Sequence, residues 1–444
     1  MLRRLHRFYY GLGQLGSHVL LSFIDLAAFW VYIDLFHLHP IASALGFAAG
    51  KLVIAISGPV IGYLSDVTWL GRLGRRKPFI LVGAPGLALS CALAFVPTWF
   101  VPPGDQFALF LYMVVTMAAF NLFFAVLMTP YQALMPEITA PEERVVVSNY
   151  QMSLRLLGQV VGTIGGFALP ILLPLGLDVV FVFVGAFGVF EIICFIPSVS
   201  VLQEEKEEFV PQPGVRLALG RILGNQNYVS FLLLWCTMTL PTSMLGRLVL
   251  PYADNVLLLR DLQYIGMALA LLGFTFIFFF VWTKVSHRTG SKRIPLVISI
   301  VLLLVVLPTT LVIDQGPLTA IPTFVQGTCF IGLIAAGLSG WYLLPNPITA
   351  DIVHEHKNRT AEGRAGSYEG FINLPLNLFQ ILATILAGLL LSLPALPPNG
   401  YSLGYLWWGP VAAVFAGLSI PIALWIVNPD PLRRPKPIPV RKSQ

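Results

Sequence analysis

The stretch IPLVISIVLLLVVLPTTLVI, residues 294–313, contains no charged residue. It is as long as an α-helix must be to cross the hydrocarbon core of a bilayer, about 20 residues. Residues 262–283 form another such run, and only 11% of the chain is charged, against about 25% in soluble domains. Backbone groups in lipid must be satisfied within the segment, so these runs are predicted to be helices of an integral membrane protein.

The same reading along the chain predicts twelve spanning helices. Lys and Arg are distributed unevenly between the loops that join them: 23 of the 27 fall on the side that carries both termini, and only Arg260 falls on the other. The positive-inside rule then predicts that both termini lie on the cytoplasmic side of the membrane. The membrane is expected to be a cell membrane, either an inner membrane or a plasma membrane. The predicted spans are 9–36, 41–64, 78–101, 106–131, 147–174, 178–200, 227–252, 262–284, 294–314, 318–345, 367–394 and 404–427.

A charged and then Pro- and Gly-rich break at 201–226 divides the chain into two halves of six helices. We expect an N-terminal bundle over 1–200, a cytoplasmic loop over 201–226, a C-terminal bundle over 227–428 and a basic cytoplasmic tail over 429–444. Similar basic turns follow the second helix of each half, SDVTWLGRLGRRKPF at 65–79 and WTKVSHRTGSKRIP at 282–295. Two pseudo-symmetric six-helix bundles of this kind define the major facilitator fold.

The turn after the second helix carries a candidate conformational clasp. Gly62 would allow close helix packing, and Asp66 at the helix end could meet Arg75 and Arg76 across the turn. Such a charged contact can hold one conformation of an alternating-access transporter. The alternative is that the basic residues act only as a topology signal.

Residues 58–80 of this turn resemble the loop 2–3 motif of the glycoside–pentoside–hexuronide:cation symporters, a major facilitator family that includes melibiose permeases; sucrose transporters share much of it. Further motifs of that family are resembled by residues 10–13, 130–139, 343–345, 350–353 and 363–368, in the same order along both halves. The resemblance implies a secondary transporter of sugars or glycosides.

The chain departs from the family at its sodium and sugar sites. The two aspartates of helix 2 that the family uses for sodium correspond to Ile54 and Gly58. A further aspartate of helix 4 corresponds to Met128, and the sugar-binding aspartate of helix 1 corresponds to His18. The resemblance therefore implies a transporter that is proton-coupled or facilitative, with no bound metal or cofactor.

Charged residues inside a bilayer are costly and usually mark a site or an ion pair. Asp25 and Lys51 lie about 15 Å below the same surface at 1.5 Å per residue, so they could pair, serve the substrate or a proton, or do both. The complete set of predicted substrate-binding residues is His18, Asp25, Lys51, Asn121, Arg155, Arg247, Asn373 and Asn377. His18 could instead be a hydrogen-bonded bystander, Arg247 an interfacial residue, and the helix 11 amides a polar helix–helix seam.

Other functional classes find less support in the sequence. No nucleotide-binding loop or nucleophile–base arrangement is seen, and the four cysteines lack metal-ligand spacing, so an enzyme is not expected. The net charge of +6 is explained by the basic loops without nucleic acid. We expect a monomer in the lipid bilayer with a small-molecule substrate. An amphipathic, lysolipid-like substrate and a non-transporting membrane scaffold are the alternatives.

Overall fold

The computed structural model describes residues 4–70, 73–138, 144–201, 224–313, 316–345, 347–349, 351–352, 365–395, 400–428 and 430. Twelve long helices account for nearly all of them. They are α1 (Arg4–Trp30), α2 (Pro40–Val67), α3 (Lys77–Ala94), α4 (Gln106–Ile138), α5 (Arg144–Leu172), α6 (Leu177–Val201), α7 (Gln226–Asn255), α8 (Leu262–Thr289), α9 (Arg293–Val306), α10 (Thr323–Leu343), α11 (Ala365–Leu391) and α12 (Gly404–Pro421).

Each of these helices contains or extends into a segment long and apolar enough to cross a membrane, twelve in all within the described residues. The predicted number of spans is therefore confirmed. The ends differ in detail. Helix α9 was predicted to run to 314, but its α-helical part ends at Val306 and a 3₁₀ turn follows over Leu307–Leu311. Pro308 lacks a backbone N–H and cannot continue the hydrogen-bond ladder of the α-helix.

The helices pack as two bundles with the same internal arrangement. In the first bundle α1 contacts α5 and α6, α4 contacts α2 and α3, and α3 contacts α6. Each of these pairs recurs six helices later: α7 contacts α11 and α12, α10 contacts α8 and α9, and α9 contacts α12. The predicted pair of pseudo-symmetric six-helix bundles is confirmed.

The two bundles meet through symmetric contacts as well. Helix α1 packs on α7, while α2 packs on α11 and α5 packs on α8. Helices α3, α6, α9 and α12 lie away from these contacts. Because the helices alternate in direction, the start of α1 and the described segment after α12 lie at one end of the bundles, here called the terminal face. The other end, with the loops over 36–39 and 256–261, is called the opposite face.

Helices α1 and α5 pack closely together. A Cβ atom added at Gly158 would collide with the carbonyl oxygen of Leu15, and one added at Gly162 would collide with that of Val19. The spacing is the small-xxx-small pattern that lets helix backbones approach in membranes. Gly62, which we expected to serve this purpose in α2, has room for a methyl group, 3.5 Å from the side chain of Thr129.

Candidate functional site

A cavity of about 380 Å³ lies between the two bundles. Its volume is in the range of small-molecule sites, roughly 300–1,000 Å³. The first bundle contributes α1 and α5 to its wall, and the second contributes α7, α8, α10 and α11. Its polar lining side chains are Ser22, Asp25, Arg155, Gln159, Thr163, Thr242, Ser243, Arg247, Thr275, Tyr342 and Gln380. A central cavity with walls from both bundles is the site that the fold predicts.

Asp25 and Lys51 form an ion pair, as their depth suggested. The Lys51 ammonium lies 3.4 Å from the Asp25 carboxylate and is almost completely buried. The Asp25 side chain is 36% exposed and lines the cavity. Lys51 therefore stands behind Asp25 and holds a carboxylate that solvent or a solute in the cavity can reach.

Arg247 occupies the facing wall on α7 and is only 3% exposed. Its Nη1 donates to the backbone oxygen of Ser243 at 3.0 Å, one turn back on the same helix. The guanidinium carbon lies 5.5 Å from the ring centre of Phe47 on α2, within cation–π distance. Its Nε has no hydrogen-bond partner among the described residues. Arg247 is thus a buried cation on the facing wall of the cavity.

Arg155 on α5 also lines the cavity, and its side chain is exposed. Tyr342 of α10 lines the same cavity from the other bundle. Arg155 therefore lies where the two bundles face each other.

The remaining predicted residues lie outside the described cavity lining. His18 is 4% exposed and sits inside the first bundle, with its Nδ1 3.0 Å from the Gln14 carbonyl oxygen. Asn121 is buried where α4 packs on α2, and its Nδ2 donates to the Met117 carbonyl. Asn377 donates to the Asn373 carbonyl. Their part in substrate binding stays a prediction, while Gln380, one turn further along α11, reaches the cavity.

At the opposite face, hydrogen bonds cross between the bundles. Trp30 Nε1 donates to Asp254 at 2.9 Å, while Asn255 Nδ2 and the Tyr405 hydroxyl donate to Asp34 at 2.8 and 3.3 Å. We call these five residues the inter-bundle latch. Tyr264 donates to the second oxygen of Asp254 at 2.6 Å and supports it. The latch joins the two bundles at the opposite face.

Sequence reasoning did not identify the latch. Asp34 was not among the predicted site residues. Its partners are separated from it by 221 and 371 positions in the chain, so no local pattern connects them. The only available signal was the clustering of polar residues at the ends of α1 and α7, YID at 32–34 and ADN at 253–255.

At the terminal face of the second bundle, the basic turn between α8 and α9 connects three segments. Lys292 Nζ forms an ion pair with Asp351 at 2.5 Å and donates to the Pro347 carbonyl at 3.1 Å. The backbone N–H of Lys292 donates to Asp430 at 2.7 Å. This turn corresponds by symmetry to the predicted clasp of the first bundle. It fixes the end of α10 and the segment after α12 to the start of α9.

The predicted clasp itself is described only in part. Arg76 is 6% exposed at the start of α3, and Arg75 is partly buried beside it. The side chain of Asp66 lies outside the described residues, so the contact between them stays a prediction.

Glu191 of α6 is fully buried. A Cβ atom at Gly16 of α1 would lie 2.8 Å from the Glu191 Cα, so α6 packs tightly on α1 at this level. Neither carboxyl oxygen has a hydrogen-bond partner among the described residues. This position packs inside the first bundle, away from the lining of the cavity.

These features define an integral membrane protein of twelve helices, in two matched bundles around a central cavity. The MFS/sugar transport protein family matches residues 9–402. The chain therefore belongs to this family, and the predicted membership of the major facilitator superfamily is confirmed.

Similar proteins are known from bacteria. The chain is 28% identical over 222 residues to an uncharacterized symporter of Synechocystis, covering 48% of this chain and 40% of the relative. It is 28% identical over 158 residues to a putative sulfoquinovose importer of Escherichia coli, covering 35% and 33%. A putative 2,3-dihydroxypropane-1-sulfonate exporter of Salmonella typhimurium is 25% identical over 299 residues, covering 64% and 63%. The chain thus spans less than two thirds of each of these relatives.

Among solved structures, a D-xylose-proton symporter superposes with a TM-score of 0.67 at 12% identity, covering 96% of this chain and 98% of that one. A bacterial homologue of the human lysosomal transporter Spinster, in an inward-facing and occupied conformation, superposes with a TM-score of 0.65 at 14% identity, covering 94% of this chain and 95% of that one. At these identities the likeness shows the fold.

Proposed function

We propose that this protein is a secondary transporter that moves a small polyhydroxylated solute, a sugar or glycoside, by alternating access. The observation that carries the proposal is the cavity, whose polar groups come from both bundles. A solute bound there contacts both bundles at once, so its binding energy depends on how they are oriented. That dependence is what couples a ligand to a conformational change.

The latch and the predicted clasp are the two gates of this proposal. Positive-inside counting makes the terminal face cytoplasmic. The latch then lies on the outer side and joins the two bundles there. Transport requires the latch bonds to break and the bundles to close at the terminal face, which is where we propose that the Asp66–Arg75–Arg76 clasp acts.

Coupling to a proton, or no coupling, is part of the proposal. The family's sodium-site aspartates on helix 2 are replaced here by Ile54 and Gly58. The carboxylate in the described lining of the cavity is instead Asp25, paired with Lys51. Residues 1–200 and 227–428 would be the two moving bundles of a monomer, joined by the 201–226 loop.

A ligand screen tests the substrate class. The purified protein would be heated with sugars, glycosides and lysolipids at two pH values while its apparent melting temperature is followed. A ligand that binds the folded state at 100 times its Kd stabilises it by about 2.7 kcal/mol. We expect stabilisation by at least one sugar or glycoside. Stabilisation by lysolipids alone would contradict the proposal.

The same solute then tests coupling in proteoliposomes. Uptake should persist when sodium is replaced by choline or potassium, because the family's sodium ligands are absent. It should also respond to an imposed pH gradient if protons are co-transported. Strict dependence on sodium would show that another cation site exists.

A further inference from the structure

Strained backbone occurs at the opposite face, within a few residues of the inter-bundle latch. Apart from glycines, the described residues with a positive φ are His37 at 53°, Leu258 at 50° and Asp261 at 45°. They lie in the two loops at 36–39 and 256–261. The left-handed region is unfavourable for any residue that has a Cβ atom, so this conformation persists only where the surrounding structure imposes it.

His37 and Leu258 occupy equivalent places in the two bundles. Each lies between two backbone N–H groups that donate back to the end of its own helix. These bonds join Phe36 to Val31 and Leu38 to Tyr32 in the first bundle, and Leu257 to Tyr252 and Leu259 to Ala253 in the second, at 2.8–3.2 Å. The two sets are offset by 221 positions, which is also the separation of Asp34 from Asn255.

Asp34 and Asn255 are therefore equivalent residues of the two bundles. The 2.8 Å hydrogen bond between them joins one helix end to its symmetry counterpart. Such a contact lies at the pseudo-two-fold axis, where a change in the angle between the bundles acts on both partners alike. His37 and Leu258 each follow three positions later.

The neighbours of the two strained residues fix their conformation. Leu38 is 2% and Leu259 is 5% exposed, so the chain is anchored directly after each strained position. His37 is exposed and Leu258 is 62% exposed, so packing of their own side chains offsets little of the strain. The turn is imposed between the buried leucine on one side and the latch residue on the other.

We propose that His37 and Leu258 are paired hinges of the gate at the opposite face, whose left-handed backbone stores strain while the latch is formed and releases it when the latch opens. The latch bonds then act against a backbone that favours opening. Hinges are often a few residues at the ends of helices that absorb a change in φ and ψ. This inference rests on the alternating access of the proposed function and adds the residues that permit it.

Glycine variants test the hinges. His37→Gly and Leu258→Gly remove the Cβ atom that makes the left-handed region unfavourable, so they should favour the latched state. Access would be measured in intact cells as the rate at which a membrane-impermeant maleimide labels a cysteine at Ser22, in a Cys329→Ser background. We expect labelling to be about five-fold slower in each glycine variant and about 25-fold slower in the double variant.

Alanine variants are the matched controls. His37→Ala and Leu258→Ala remove the same side chains but keep a Cβ atom, so labelling should stay at the parental rate. Gly104→Ala is the reverse control, in the turn between α3 and α4. Gly104 has a φ of 86° and space for a Cβ atom, so this change adds strain away from the latch. It should lower the melting temperature and leave labelling unchanged.

The outcomes separate this inference from the proposed function. Glycine variants with raised melting temperatures and parental labelling would show that the two residues only terminate helices, which overturns the inference and leaves the transporter standing. Equal slowing in the alanine variants would assign the effect to the lost side chains and would also overturn it. No labelling in any of these proteins, together with no binding of a sugar or glycoside, would overturn the proposed function and this inference together.

Discussion

At the scale of single residues, Asp25 and Lys51 differ in how deeply they are buried. Lys51 is enclosed, while about a third of the Asp25 side chain is open to the cavity. Removing the carboxylate leaves an unpaired ammonium in a low-dielectric environment. Removing the ammonium leaves a carboxylate that water can still reach. The two halves of the pair are therefore not equivalent.

We predict that Asp25→Asn lowers the free energy of unfolding by about 3 kcal/mol, and that Lys51→Gln lowers it by less. Both should impair transport. The double exchange, Asp25→Lys with Lys51→Asp, should restore part of the stability that the less stable single variant loses, because the two charges attract each other again. The measurements are apparent melting temperature in detergent and uptake in proteoliposomes.

Lys284→Gln serves as the control for this series, since loss of an exposed surface charge usually changes stability by less than about 0.5 kcal/mol. Additive defects in the doubly exchanged protein would show that the two residues act independently, contrary to the ion pair.

At the scale of helices, the contact between α1 and α5 depends on backbone approach at Gly158 and Gly162. Lipid tails are as apolar as the side chains of the helices, so packing and not hydrophobicity holds helices together in a membrane. A methyl group at these positions meets a backbone oxygen, which cannot rotate away. Helix α1 also carries Asp25, so a shift of α1 against α5 displaces the cavity wall.

Gly158→Ala is therefore expected to lower stability by about 1–3 kcal/mol, as overpacking does, and to weaken ligand binding. Gly185→Ala is the matched control, since a Cβ atom there has no neighbour within 4 Å and α6 gains the same helix propensity. Thermal unfolding of the two variants, side by side, measures the difference. If the Gly158→Ala protein were as stable as the control, α1 and α5 would be able to move apart without a loss of stability, contrary to this prediction.

At the scale of the whole molecule, we propose that the latch sets the balance between two access states, since its bonds join one bundle to the other. One such hydrogen bond contributes about 1 kcal/mol, equivalent to a roughly five-fold change in a two-state equilibrium. Loss of a latch bond should therefore favour the state that is open at the opposite face.

We predict that Trp30→Phe, which keeps a ring but removes the donor to Asp254, increases access to the cavity from the opposite face about five-fold. A cysteine at Ser22 would report access by its rate of labelling with a membrane-impermeant maleimide in intact cells. The background would be Cys329→Ser, since the other three cysteines are buried.

Trp99→Phe is the control, because Trp99 contacts Phe181 within the first bundle. An unchanged labelling rate in Trp30→Phe would show that its bond to Asp254 does not help to keep the opposite face closed.

The sequence by itself determined the twelve spans, the division into two halves and the common depth of Asp25 and Lys51. These follow from local properties, since transfer of a helix into lipid depends on its own composition and depth follows from helical rise. The tertiary structure decided which polar residues meet. The side chains of His18 and Asn121 lie inside the first bundle, and Arg155 and Arg247 lie on different walls of the cavity. Trp30 bonds to Asp254, which is 224 positions away in the chain. Such contacts depend on the rotation and tilt of each helix against its neighbours, which packing sets and which no single segment encodes.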